Sequence, residues 1–363
     1  MSSSFNEDRA TMKAARIYGE ADVRVEEIPS PPEPGPFEAV VAPLWSGLCG
    51  TDVKEYIGHG GSFSATPHPL TGAALPLILG HEFSAEVVAI GSRIDNVKVG
   101  DQVAVMPLIH CGHCAACKLG RYTQCEVKAW TGLSDAWGGM GEYALVQSYQ
   151  LSPLDGISPE AGAVVEPAAV ALNASVRANV GPGSTVLILG AGAIGILTLL
   201  AVKALGAATV FLFETNPRRA AHAAELGAEV IPAEHADDIA GYVRERTGGL
   251  GVDVAMDCAG FPPALDAAVA SVRPGGTIGV PAVHPGPTMV DVRRMTRNDL
   301  SMVASVGYTQ DIWERTVLMV RAGVLPVEKA VTSKIDLDDI VSRGFDVLSK
   351  PSTELKILVK IKA

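Results

Sequence analysis

Roughly the first 150 positions carry short apolar runs, each cut off by glycine or proline: RVEEI, AVVAPLW, AEVVAIG, DQVAVMP and EYALVQ. Runs of that length with that punctuation predict the strands of a β-rich unit with long loops between them. The earliest run, KAARIY, begins at Lys13, and the polar stretch MSSSFNEDRA before it reads as a loose tail and not as a secretory leader. From about Ser158 the pattern changes. ISPEAGAVVEPAAVALNASV is alanine-rich and helical, and then strand and helix patterns alternate: TVLILG, AIGILTLLAVKALG, TVFLFE, PRRAAHAAELG, VDVAMDCAG, PALDAAVASV, TIGVPA. That alternation predicts a parallel, doubly wound sheet. After about Asp311 come a helix, ERTVLMVRAG, and a last strand, ELKILVKI. The predicted fold class is α/β with an added β-rich domain, divided at 1–158, 159–311 and 312–363.

Composition narrows the function classes. The chain has 363 residues, 48% hydrophobic and 19% charged, with 38 glycines and 24 prolines, which is ample for two buried cores. A net charge of −11 argues against nucleic acid or an anionic membrane as partner. Ala178 to Val202 is uncharged and long enough to cross a bilayer, but its glycines and Pro182 divide it into a strand and a helix. A soluble, cytoplasmic protein is expected.

The glycines Gly190, Gly192 and Gly195 of GAGAIG have G-x-G-x-x-G spacing, follow a strand and open a helix, and Glu214 ends the next strand. In that context the glycines permit a tight turn, close approach of a pyrophosphate and helix–strand packing, with the N–H groups around Ala193 and Ile194 facing the phosphates. Glu214 is placed to hold ribose hydroxyls and to repel a 2′-phosphate, while Arg218 and Arg219 lie close by. NAD(H) is therefore expected, with NADP disfavoured.

Four of the six cysteines fall in CGHCAACKLGRYTQC: Cys111, Cys114, Cys117 and Cys125. Such spacing suits a redox pair, a disulfide, an iron–sulfur cluster or one tetrahedral zinc. Further ligand types are scattered: Cys49 in GLCGTD, His81 and Glu82 in LGHEF, and Glu166 in VVEPAAVAL. A thiolate, an imidazole and carboxylates can hold zinc while leaving a position open for substrate, and zinc so bound is a Lewis acid towards an alcohol oxygen.

CGTDVKEY, PHPLTG, LGHEFSAEVVAIG, VGDQVAV, the four-cysteine segment, GLSDAWGGMGEYALV and VEPAAVAL together resemble the zinc-containing medium-chain alcohol dehydrogenases, nearest the 2,3-butanediol and sorbitol dehydrogenase branch. The resemblance runs from about Lys13 onward. It implies a GroES-like catalytic domain over 1–158, a Rossmann domain over 159–311 and a C-terminal return to the catalytic domain over 312–363, with the active site between the domains. It implies two zinc ions per chain. Cys49, His81 and Glu166 are the expected ligands of the catalytic zinc, with Glu82 as an alternate. Asp52 is expected to orient His81, and Thr51 to take the alcohol proton. The four cysteines become a structural zinc lobe over about 108–127, and Gly190, Gly192, Ala193, Ile194, Gly195, Glu214 and Arg219 the dinucleotide site.

The implied activity is oxidation of an alcohol or polyol, (R,R)-2,3-butanediol with acetoin above all, in a homodimer or homotetramer. A sorbitol-type or L-threonine 3-dehydrogenase is the alternative, and a non-catalytic nucleotide-binding protein is the alternative of another class. Two positions depart from the family pattern. Lys54 stands where relatives carry a histidine that passes the proton to solvent, and Asn173 stands where many butanediol-type relatives carry another. Cys258 is expected as a buried thiol near the nucleotide, and His59, His68, His110, His113 and His284 as surface or loop histidines.

Overall fold

The computed structural model describes residues 10–61 and 63–362; the expected loose tail lies almost wholly outside them. Two compact units are present. One comprises the chain up to Glu166 together with Trp313–Arg321 and the segment from Val331 onward, and the other comprises Pro167–Ile312 and Ala322–Ala330.

In the first unit the short apolar runs form strands, and Glu38–Gly47 and Gln102–Val105 are buried over most of their length. Thr11–Gly19 pairs antiparallel with Asp22–Pro29 and with Leu77–Ile78. The larger sheet has the order Leu151–Pro153, Gln102–Val105, Phe83–Ile90, Glu38–Gly47, Lys356–Lys360, Val331–Asp336, and Ala144–Gln147 also pairs with Glu38–Gly47. The last strand thus lies between one made early and one made late. Its residues Ile357 and Val359 pack with Leu48, Leu79, Ile335 and Phe345, all buried. Helix Gly50–Tyr56, which the apolar pattern left unassigned, starts immediately after Cys49. Its start is fixed by a reciprocal cap: the backbone N–H of Cys49 donates to the Asp52 carboxylate at 3.0 Å.

The second unit is a six-stranded, all-parallel sheet in the order Glu229–Val230, Thr209–Phe213, Thr185–Leu189, Val252–Asp257, Val272–Val280, Ser301–Ala304. This is the strand order of a Rossmann fold, so the sheet reverses direction of growth beside Thr185–Leu189 and offers a ligand crevice at the carboxyl ends of the strands. Helix Ile239–Arg246 and the edge strand Ser301–Ala304 were not legible in the apolar pattern. The strand before Pro281 is longer than TIGVPA predicts: it starts at Val272 and ends at Val280. Among the described residues, no helix is long and apolar enough to cross a membrane.

Candidate active site and metal centres

The strand Leu108–Ile109 pairs with Ala129–Trp130, and the four-cysteine segment is the loop between them. All four sulfurs come within 4.8 Å of one another, and none is in a disulfide. The backbone points N–H groups at the sulfurs: Cys111 N–H at Cys125 Sγ and Cys114 N–H at Cys111 Sγ, both 3.4 Å, and Cys117 N–H at Cys114 Sγ, 3.5 Å. The N–H groups of Cys117 and Glu126 pull the Cys114 thiol down to about 6, while burial pushes Cys117 up to about 12. Four sulfurs in one shell, with the Cys114 thiol shifted towards the thiolate, fit a tetrahedral zinc with no position left for substrate. Replacing Cys114 with Ser is expected to release about one zinc per chain and to lower the melting temperature, while turnover per folded molecule persists. Metal analysis beside a melting curve checks it, and lost turnover in fully folded protein contradicts it.

The second donor group is of mixed chemistry. Cys49 at the helix cap and His81 and Glu82 just before the strand Phe83–Ile90 place their ligand atoms within 4.8 Å of one another. Glu166, buried in helix Pro159–Arg177, stands outside that mutual grouping. Asp52, wholly buried, approaches His81 Nδ1 at 3.5 Å. Burial opposes charge on His81, but Asp52 and Cys49 outweigh it and raise its pKa well above the usual histidine value. His81 Nδ1 and Asp52 Oδ1 are both buried and neither has another hydrogen-bond partner, so each faces the other. Thiolate, imidazole and carboxylate in one cluster, with His81 and Glu82 buried and Cys49 partly so, fit zinc.

Glu82 carries a partner that no motif announced. Lys356 Nζ donates to both Glu82 oxygens, at 2.8 and 2.6 Å, and to the carbonyl of Leu48 at 3.0 Å. Lys356 and Glu82 are 3% and 1% exposed, so all three ammonium donors are consumed inside the protein. Gly47 belongs to the same packing, since a Cβ there would come within 2.2 Å of a Glu82 oxygen. The available sequence signal was a lysine within the apolar strand LKILVKI. Lys54 is exposed on the helix Gly50–Tyr56, three positions after Thr51 and on the same face. Asn173 is buried and donates to the Gly307 carbonyl (2.9 Å) and Ser305 Oγ (3.1 Å), a structural tie.

In the parallel-sheet unit, Gly190 has φ of +95°, and a Cβ at Gly195 would sit 2.0 Å from the Gly190 carbonyl oxygen. Only glycine serves at both. A Cβ at Gly192 meets nothing within 4 Å, which leaves room for a ligand to reach the backbone where helix Ala193–Ala204 begins. Glu214 accepts from the N–H of Ala191 at 2.7 Å and of Asn216 at 2.8 Å. Gly190, Gly192, Glu214, Arg219, Cys258 and Ala259 line a cavity of about 500 Å³. Burial pushes the Cys258 thiol up to about 12, and it lies 3.6 Å from Thr198 Oγ1. His284, expected as a surface or loop histidine, lies in the loop after the strand Val272–Val280, where its side chain is 13% exposed and bonds the fully buried Asp257.

With this geometry in place, the comparisons with known proteins define a class. Residues 35–156 match the alcohol dehydrogenase GroES-like domain, and residues 193–321 match the zinc-binding dehydrogenase family. The chain belongs to the zinc-containing medium-chain alcohol dehydrogenases, enzymes that act on CH–OH groups with a nicotinamide dinucleotide. Within them it falls in the branch of the butanediol and sorbitol dehydrogenases. It is 37% identical over 354 residues to the (R,R)-butanediol dehydrogenase of Bacillus subtilis, covering 96% of this chain and 99% of that one. It is 31% identical over 353 residues to the sorbitol dehydrogenase of the same organism, covering 96% and 97%. The crystal structure of the Bacillus subtilis 2R,3R-butanediol dehydrogenase superposes with a TM-score of 0.90 at 36% identity, covering 96% and 99%. A zinc-binding dehydrogenase from Sinorhizobium meliloti, solved with NADP, superposes with 0.86 at 30% identity, covering 97% and 100%.

Proposed function

We propose that this enzyme oxidises a vicinal diol, (R,R)-2,3-butanediol, and reduces acetoin, with NAD(H) as the hydride carrier. The supporting observation is the Cys49–His81–Glu82 cluster within 4.8 Å, in a chain 37% and 33% identical to two (R,R)-butanediol dehydrogenases over nearly its whole length. Cys49 and His81 hold the catalytic zinc, with Glu166 or Glu82 completing the shell. Zinc bound there supplies a Lewis acid that eases removal of the proton from the alcohol oxygen. Asp52 orients the His81 ring. The Thr51 hydroxyl takes the alcohol proton and passes it outward as the carbinol hydrogen leaves as hydride. The net reaction turns one alcohol and NAD⁺ into ketone, NADH and a proton. Initial rates on a panel of diols, sorbitol-type polyols and L-threonine, each with NAD and with NADP, test the reading. A clear preference for sorbitol or L-threonine overturns the substrate, and no oxidation of any alcohol by zinc-loaded protein favours a nucleotide-binding role.

Glu214 is the proposed selector of NAD over NADP, because its carboxylate sits on the cavity wall where it meets a ribose and repels a 2′-phosphate. Glu214→Ala is expected to narrow the NAD:NADP ratio of kcat/KM by about tenfold or more, as loss of one charged hydrogen bond does. An unchanged ratio removes Glu214 from that role. Two further readings concern context. The strand Ser301–Ala304 is the sheet's edge among the described residues, and Val306, two positions beyond it, is exposed, which supports pairing with a second copy into a homodimer or homotetramer; light scattering of the purified protein measures the assembly. A lobe of four unbridged thiols supports a reducing, cytoplasmic setting, which cell fractionation tests.

A further inference from the structure

The strand Val252–Asp257 ends in a carboxylate that neither zinc site uses and no motif singled out. Asp257 is fully buried. Its Oδ1 accepts the backbone N–H groups of Ala259 (3.1 Å) and Gly260 (2.9 Å), which folds the chain into a tight turn. Its Oδ2 is paired with His284 Nε2 at 2.8 Å, and the other ring nitrogen of His284 is 3.1 Å from Thr288 Oγ1. A buried carboxylate is stable only when its oxygens are satisfied, so the histidine completes what the two backbone donors begin.

The turn so held is a wall of the dinucleotide cavity, through Cys258 and Ala259. It also touches the glycine-rich loop, since a Cβ at Gly190 would meet that of Ala259 at 3.1 Å. The segment that supplies His284 leaves the neighbouring strand at Val280 and packs over the same turn. Ala282 N–H donates to the Asp257 carbonyl at 3.3 Å, and a Cβ at Gly260 would meet Ala282 and the Val283 carbonyl at 3.2 Å.

We propose that His284 is a positioning residue for dinucleotide binding: by holding the Asp257 carboxylate it fixes the Ala259–Gly260 turn against the glycine-rich loop and straps the segment after Val280 across it. This rests on the reading that the cavity takes a nicotinamide dinucleotide. His284 itself touches neither substrate nor the reacting atoms. Its contribution is geometric: a cavity wall set before the ligand arrives spares the ligand the cost of ordering it.

The test compares wild type, His284→Phe and His284→Gln in zinc-loaded protein. Phenylalanine keeps the ring volume and removes the donor, whereas the glutamine amide nitrogen reaches about where Nε2 lies and can donate to Asp257. Titration with NADH, read by its fluorescence, is expected to give binding about tenfold weaker for His284→Phe and near wild type for His284→Gln, as a charge-assisted hydrogen bond is lost and restored. At saturating dinucleotide and alcohol, kcat should stay within about threefold of wild type, because binding and not the chemical step is affected. Hydrogen exchange at the amides of Ala259 and Gly260 should speed up in the Phe variant alone. If that variant does not fold, His284→Asn, whose shorter amide falls short of Asp257, takes its place with the same readouts. Equal NADH affinity in wild type and the donor-free variant overturns the proposal, as does equal weakening in the Gln variant. Failure of wild type to bind either NADH or NADPH overturns instead the dinucleotide reading on which it rests.

Discussion

A Lys356→Met variant is expected to lose about 3–5 kcal/mol of folding stability, the usual consequence of deleting one member of a buried ion pair. Lys356 and Glu82 are 3% and 1% exposed, so water cannot reach the carboxylate that is left behind. Both Glu82 oxygens and the Leu48 carbonyl lose their donor at once. The double variant Lys356→Met/Glu82→Leu removes both charges and should recover most of the loss, because well-packed apolar residues can replace a buried pair at little cost. Urea unfolding of the single and double variants measures the effect. A single variant as stable as wild type, or a double variant no better than the single, shows that Lys356 does not neutralise Glu82. Activity is uninformative on this point, since Glu82 lies among the proposed metal donors.

Thr51→Ala is expected to lower kcat by about 10²–10⁴-fold, the usual worth of a positioned acid–base group, while dinucleotide binding changes by less than about twofold. The capping helix places the hydroxyl two residues from Cys49, and Asp52 fixes that turn through the Cys49 N–H. Removing one hydroxyl leaves the cap and the donor cluster in place. Steady-state rates with NADH titrations on the same preparation separate the two quantities, and a kcat within a few-fold of wild type removes Thr51 from the proton path. Asn173 donates to Gly307 and Ser305, and on the proposed path the outlet beyond Thr51 is Lys54, on the same helix face, another group, or solvent. A Lys54→Ala variant that turns over at the wild-type rate removes Lys54 from that path.

What could be read in advance was whatever depends on neighbours in sequence. The glycines of the dinucleotide loop answer to contacts within a few residues, and Gly190 and Gly195 meet each other in the structure. The cysteine lobe is a local loop, so its spacing carried its geometry. Long-range pairings were hidden. Nothing near His284 indicates that it bonds Asp257, because the two lie at the ends of adjacent parallel strands joined by a whole helix. Lys356 passed as an ordinary strand lysine for the same reason. Helix Ile239–Arg246 has Ile239, Tyr242 and Val243 at helical spacing, but at eight residues it is too short for that period to stand out in the sequence. The edge strand Ser301–Ala304 was missed because its burial pattern, exposed at both ends, has no alternation.

The interleaving of the strand Lys356–Lys360 also bears on how the protein is made. Glu82 leaves the ribosome 274 residues ahead of its counter-charge, which at roughly 5–20 residues per second is on the order of 10–60 s. Throughout that interval the strand Glu38–Gly47 has an empty edge where Lys356–Lys360 will lie, and the carboxylate has no cation. The parallel sheet lies within Pro167–Ile312, and the rest of its unit, Ala322–Ala330, also precedes Lys356, so that unit can close first. A nascent chain therefore carries a finished nucleotide unit beside an open one, and that open sheet edge is the natural foothold for chaperones and, in chains cut short, for proteases.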